Sequence, residues 1–192
     1  MTAASDNPIP TPERFRSYLD VLARLQLQGR LRGKLDPSDI VQQSMLRAHQ
    51  AWNEFRGSEA AELAAWLRRI LARTIADAAR DLHREKRDVN RERSLEAELG
   101  ESSARLASVL AANEPTPSRK AAKNEEILRV AEALALLPDP QRDAVLLKHC
   151  KGMSLVEVGK QLGRTPAAVA SLLRRGLAQL RERLAETDDA HD

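Results

Sequence analysis

The run Ser154-Leu155-Val156-Glu157-Val158-Gly159-Lys160-Gln161-Leu162-Gly163-Arg164-Thr165-Pro166-Ala167-Ala168-Val169-Ala170-Ser171-Leu172-Leu173-Arg174-Arg175 decides how the chain is read. Ser154 with Glu157 three residues later is a capping box: the hydroxyl accepts one orphan N–H of a helix start and the carboxylate accepts another. The box opens a short helix through Leu162. Gly163-Arg164 then turns, and Thr165-Pro166 starts a second helix with Val169, Leu173, Gly176, Leu177, Leu180 and Leu184 on its inner face. A short helix, a glycine turn and a second helix are the parts of a helix-turn-helix, whose second helix enters a major groove. The outer face carries Ala167, Ala170, Ser171 and Arg174. Small side chains let the backbone approach DNA, and an arginine can donate two hydrogen bonds to guanine. Arg164, Arg175 and Arg181 sit where phosphates would be met, and Thr165 and Ala168 complete the candidate DNA-facing set. An ordinary helical hairpin with a basic surface would not need the box, the turn and the Thr-Pro start in that order.

Upstream, Ile127, Val130, Ala131, Leu134 and Leu137 form a helical stripe that Pro138-Asp139-Pro140 interrupts. Asp139 is expected to cap the next helix, with Pro140 at its first position. That helix directs Ala144, Val145 and Leu147 inward, and Gly152 suits a left-handed end. Residues 123–185 therefore read as one helical domain, with 186–192 as a tail.

The N-terminal half has its own punctuation. Residues 1–12 hold three prolines among small polar residues and read as a mobile arm. A first helix is predicted from about Pro12 to Gln28. Asp36-Pro37-Ser38-Asp39 is a second strong helix start, followed by Val41, Met45, Ala48, Trp52 and Phe55 at spacings of four and three. A longer helix is predicted over residues 59–84, with Leu63, Trp66, Leu67, Ile70, Leu71, Ile75, Ala78 and Leu82 on one side. On another side Arg69, Arg73, Arg80, Arg84 and Arg87 fall within an arc of roughly 60°, with Asp77 the acid nearby. Trp66 reads mostly as core, its edge bordering the arginine stripe.

Composition agrees with an all-α chain of two small domains. Of 192 residues, 42% are hydrophobic, 3% aromatic and 31% charged, with leucine, alanine, arginine and glutamate dominating the long stretches. Charge is placed in blocks. Residues 64–94 carry nine Lys/Arg against five Asp/Glu, and residues 160–183 carry six against one, whereas residues 95–118 carry one against four. The acidic block, with Pro115 and Pro117, reads as a flexible linker over residues 91–122, its first part allowed partial helix by Leu95, Leu99 and Leu106. The first domain is then residues 13–90.

Catalytic chemistry finds no purchase. His49, His83, His149 and His191 lack partners at metal-ligand spacing, and adjacent His149-Cys150 would point about 100° apart on a helix. No glycine-rich phosphate loop or nucleophile elbow occurs. No catalytic residue, metal or cofactor is expected. Cys150 is the single cysteine, which excludes an internal disulfide and suits a reducing cytoplasm. No basic segment followed by an apolar run opens the sequence, and no stretch approaches the ~20 apolar residues that span a bilayer, so neither a signal peptide nor membrane insertion is expected.

Residues 36–48, Trp66-Leu67-Arg68-Arg69-Ile70 with Asp77 and Arg80, Leu136-Leu137-Pro138 through Arg142, and the helix-turn-helix with Gly152-Met153 before it together resemble the sigma-70 family, specifically its small two-domain extracytoplasmic-function (ECF) members. The resemblance covers about Phe15 to Leu184. It implies a factor that brings core RNA polymerase to promoters and assists strand opening, polymerase supplying the catalysis. Asp39, Val41, Gln42, Gln43, Met45 and Leu46 would dock on the β′ clamp helices. Phe55, Arg56, Trp66, Arg69, Arg73, Asp77, Arg80, Arg84 and Arg87 would meet the −10 element, with the turn Phe55-Arg56-Gly57-Ser58 as the base pocket. The helix-turn-helix would read the −35 element. Further partners implied are the β flap and an anti-sigma factor or other regulatory protein. The sequence departs from the family where Arg73 replaces a usual Asn, Asp81 a second base, and Ala170 and Leu172 frequent Lys or Arg. The alternative is a stand-alone helix-turn-helix regulator, which needs no docking segment. A recombinase or transposase would need a nucleophile or carboxylate cluster.

Overall fold

The computed structural model describes residues 10–27, 33–83, 89–108 and 120–189, and among these every regular element is helical. A 3-10 turn, Pro12–Phe15, leads into α1, Arg16–Gln26, whose Tyr18, Leu19, Leu22 and Leu25 are buried. α2, Pro37–Gln50, starts as expected: the Asp36 carboxylate accepts from the Ser38 amide at 2.7 Å, and Pro37 holds the first helical position. It stops at Gln50, so Trp52 and Phe55 belong not to its apolar face but to a 3-10 turn, Trp52–Glu54, and the extended residue after it. α3, Ala60–His83, packs on α2 and α1 through Leu63, Leu67, Leu71 and Ile75. Its start is closed by Glu62, which accepts from the amides of Ser58 at 2.7 Å and Glu59 at 3.2 Å.

The acidic stretch read as a linker begins in regular structure. Its first part is α4, Val89–Ser108, which packs against α3, α5 and α1. Leu99 and Leu106 are fully buried, and Ser103 accepts a hydrogen bond from the Tyr18 hydroxyl at 2.9 Å, which in turn accepts from Arg68 at 2.8 Å. The apolar spacing 99–106 prevails over the acidic composition because two buried leucines remove far more surface from water than exposed glutamates cost. The prolines Pro115 and Pro117 lie outside the described residues.

α5, Lys120–Ala135, lies against α1, so the apolar side chains of both halves join in one core. Arg14 pairs with Glu125 across this contact, and Arg24 lies 3.8 Å from Asp139. α6, Asp139–Val145, continues as a π-helical turn, Leu146–Cys150. Asp139 does not cap it. The cap is Pro138, and Asp139 sits at the first helical position, its carboxylate paired with Arg142. Buried Arg142 also donates to the Ala135 carbonyl at 2.9 Å, closing the end of α5. α7, Leu155–Leu162, and α8, Pro166–Asp189, complete the chain.

The cap carboxylates make the fold sensitive to acid. Backbone amides hold the carboxyls of Glu62 and Glu157 below their ordinary value of 4.5. A carboxyl depressed in the folded state contributes stability above its unfolded value and loses it as pH falls. The urea midpoint is therefore expected to drop as pH is lowered through and below about 4.5, and Glu62→Gln with Glu157→Gln should flatten part of that drop. A pH series of circular-dichroism melts checks this. An unchanged slope in the double variant would count against the two caps.

Candidate nucleic-acid interface

Two surfaces carry the candidate DNA-facing residues. The first is a cleft of about 770 Å³ between the end of α2, the middle of α3 and the start of α4. Trp66, Arg69, Ile70, Arg73 and Asp77 of α3 line it, facing Arg47 and Gln50 of α2 and Glu92 and Glu96 of α4. The 3.6-residue period puts 66, 69, 70, 73 and 77 on one side of the helix, so the predicted arginine stripe and the edge of Trp66 share this wall.

The side chains of that stripe differ in state. Arg69 and Arg73 are exposed, Arg69 lying 4.0 Å from Glu96. Asp77 is not an isolated acid among bases: it pairs with Arg80 and accepts from Arg47 at 2.7 Å. Arg80 is thus paired with a carboxylate on its own helix. Arg47 also donates to Thr74 Oγ1 at 3.3 Å, tying α2 to α3. Arg84 and Arg87 lie outside the described residues.

Next to the cleft stands an aromatic cluster. Trp52 stacks on Phe55 with ring centroids 5.5 Å apart and planes 24° from parallel, and both contact Trp66, at 6.1 and 5.3 Å. Trp52 is exposed, and Arg56 is tied by its guanidinium to the Asn53 carbonyl at 2.9 Å. The turn 55–58 predicted as a base pocket is therefore aromatic on one side and backbone-bound on the other. Sequence reading missed Trp52 as part of this surface because its spacing from Val41 and Ala48 suggested continued helix. It also missed Arg47, for which the lone acid Asp77 in a basic stripe was the available signal.

The docking candidates on α2 divide by face. Val41 is 2% and Met45 6% exposed, both packed in the core, so neither presents a surface. The helical period that buries 41, 45 and 48 turns 39, 42, 43 and 46 outward, and Asp39, Gln42, Gln43 and Leu46 are exposed, Leu46 at 56%.

The second surface is the helix-turn-helix. Ser154 Oγ accepts from the Glu157 amide at 3.3 Å while Glu157 accepts from the Ser154 amide at 2.8 Å, completing the box. Gly163 closes α7 at φ +63, and Thr165 Oγ1 accepts from the Ala168 amide at 3.2 Å to start α8. Val169, Gly176 and Leu180 are buried, whereas Arg164, Thr165, Ala167, Ala170, Arg174 and Arg175 are exposed and Ala168 and Ser171 half-buried.

A family model described as Sigma-70 region 2 matches residues 11–85, and one described as Sigma-70, region 4 matches residues 127–180. RNA polymerase sigma factor CnrH of Cupriavidus metallidurans is 33% identical over 146 residues, 76% of this chain and 71% of that protein. The chain belongs to the sigma-70 family. Within it the chain stands with the ECF group, as does ECF RNA polymerase sigma factor SigG of Mycobacterium tuberculosis, 30% identical over 79% of this chain and 43% of that protein. RNA polymerase sigma-E factor of Streptomyces antibioticus is 28% identical over 92% of this chain and 85% of its own length. The probable RNA polymerase sigma factor RfaY of Xanthomonas campestris pv. campestris is 32% identical over 79% of this chain, which spans 34% of that protein. The α2 and α3 walls of the cleft, the aromatic cluster and the α2 face thus lie in region 2, and the helix-turn-helix in region 4. α4 falls between the two matched regions.

Among the described residues no group of three or more His, Cys, Asp or Glu is gathered to hold a metal ion, and no helix is long and apolar enough to cross a membrane.

Proposed function

We propose that this chain is a promoter-specificity factor of a bacterial RNA polymerase and performs no chemical step itself. The observation that carries the reading is the presence on one chain of an exposed face on α2, a basic and aromatic cleft, and a helix-turn-helix with small residues outward, within matches to regions 2 and 4. Asp39, Gln42, Gln43 and Leu46 dock on core polymerase at the β′ clamp helices. Exposed Leu136 and Val156 leave apolar surface on the C-terminal half for the β flap. Phe55, Trp66, Arg69 and Arg73 take the −10 strand, where an electrostatic groove beside an aromatic platform suits unstacked bases. The face of α8 reads the −35 duplex. The factor works in the cytoplasm, with polymerase and the chromosome.

The test is co-purification with core polymerase followed by run-off transcription from a promoter library. Arg174→Ala is expected to cost about 1–3 kcal/mol and relax preference at one or two −35 positions. Arg164→Ala should weaken all promoters alike and lower the salt slope by about one. Identical, sequence-independent losses in both would remove Arg174 from base reading. Tight, specific operator binding by the chain without polymerase would favour the stand-alone regulator.

A further inference from the structure

The three rings beside the cleft are not equally open. Phe55 is enclosed. Trp52 stacks on it at 5.5 Å and 24°, and Gly57 lies so close that an added Cβ would collide with the far end of its ring. Trp66 meets both other rings and lines the cleft with Arg69 and Arg73. Phe55 and Trp66 are partly buried against the core, whereas Trp52 is 36% exposed. Trp52 is therefore the open ring of the three.

Its place in the chain sets it at the rim of the cleft. It opens the 3-10 turn Trp52–Glu54, and its neighbours Ala51 and Glu54 both line the cleft. Packing alone gives no reason for an indole there, since leucine would cover Phe55 and leave less apolar surface in water. Stacking on Phe55, with Trp66 edge-on, holds the indole as a flat surface fixed before any ligand arrives. Exposed Arg69 and Arg73 give the cleft charge for a phosphate backbone, and single-strand sites pair such charge with an open aromatic face.

We propose that Trp52 is the stacking platform for one unpaired base at the rim of the cleft, backed by Phe55 and braced by Trp66. The inference deepens the promoter-binding reading of the cleft and rests on it. Every base has a π-face, so the platform holds the strand without reading its sequence.

The probe is a fluorescein-labelled single strand of randomised sequence, titrated into holoenzyme assembled from core polymerase and the full-length chain, with core alone as the baseline. Trp52→Leu keeps an apolar side chain on Phe55 but removes the π-face, and is expected to weaken binding about tenfold. Trp52→Phe restores a π-face and should bind within about threefold of wild type. Circular-dichroism melts of the two variants should coincide. Arg69→Ala with Arg73→Ala should weaken binding and lower its salt dependence. Transcription from a promoter library should fall alike at all promoters in Trp52→Leu. Wild-type binding by Trp52→Leu, or a loss in Trp52→Phe as large as in Trp52→Leu, would overturn the platform. A changed −10 base preference in Trp52→Leu would overturn its indifference to sequence. Loss in the arginine pair with none in Trp52→Leu removes the platform and leaves the cleft reading standing. Wild-type binding by the arginine pair and by Trp52→Leu, or no binding above core alone by wild-type holoenzyme, defeats the cleft reading and the platform with it.

Discussion

Met45→Asp is expected to unfold the region 2 half of the chain, whereas its neighbour substitution Leu46→Glu should leave the fold intact and remove polymerase binding. Met45 packs in the core with Ile40, Val41 and Ala48. A carboxylate there is desolvated without a partner, a change that costs upwards of about 4 kcal/mol. Leu46 faces solvent one residue on, where a charge changes stability by no more than about 0.5 kcal/mol. At a docking surface, however, an exposed leucine is the side chain a partner buries, and its replacement by glutamate should cost about 2 kcal/mol of binding or more. Gln42→Glu should add to that loss. Circular-dichroism melts separate the two substitutions in stability, and titration of labelled core polymerase separates them in affinity. A folded Leu46→Glu chain with wild-type affinity would move the docking surface off α2.

Gly159→Ala is expected to break the helix-turn-helix. A Cβ at this position would stand 2.6 Å from the carbonyl oxygen of Arg164, closer than real Cβ contacts come. The obstacle is backbone, held in place by the Arg164 amide donating to the Gly159 carbonyl at 2.8 Å. The turn must open, at a cost of about 3 kcal/mol, and α8 loses its angle to α7. Transcription from −35-dependent promoters should fall to background while polymerase binding through α2 persists. Gly163→Ala makes the comparison: it meets no atom within 4 Å but sits at φ +63, so only the left-handed backbone penalises it, by about 1 kcal/mol. If Gly159→Ala melts and transcribes as wild type does, the close approach of α7 and the turn is relieved at no cost.

These two cases also mark what could be read from sequence. The capping box, Gly163, the Thr165 start and the Asp36-Pro37 start all concern groups within four residues of each other, and such local geometry is written in the order of the residues. The facing of α2 was legible too, since a period that sends Val41 and Met45 inward must send Gln42 and Leu46 outward. Treating the whole segment as one docking surface obscured it. Asp77 could not be read as a hub from its own helix, because Arg47 reaches it from α2. In α4 the leucine spacing was visible, but nothing in it says that Tyr18, itself held by Arg68 of α3, waits on α1 to donate to Ser103. Asp139 was misplaced by one position, since either residue of a Pro-Asp pair can stand at a helix start.

Cys150 closes the π-helical turn beneath α4, where Arg105 donates to its carbonyl at 3.1 Å. Burial pushes the thiol up to about 12. An alkylating reagent attacks the thiolate, which is scarce at neutral pH while Cys150 stays buried. Carboxymethylation then proceeds through molecules in which the packing around this turn has opened. The chain carries its own chronometer of that opening: one thiol, a single mass increment, and a rate that needs no attached dye.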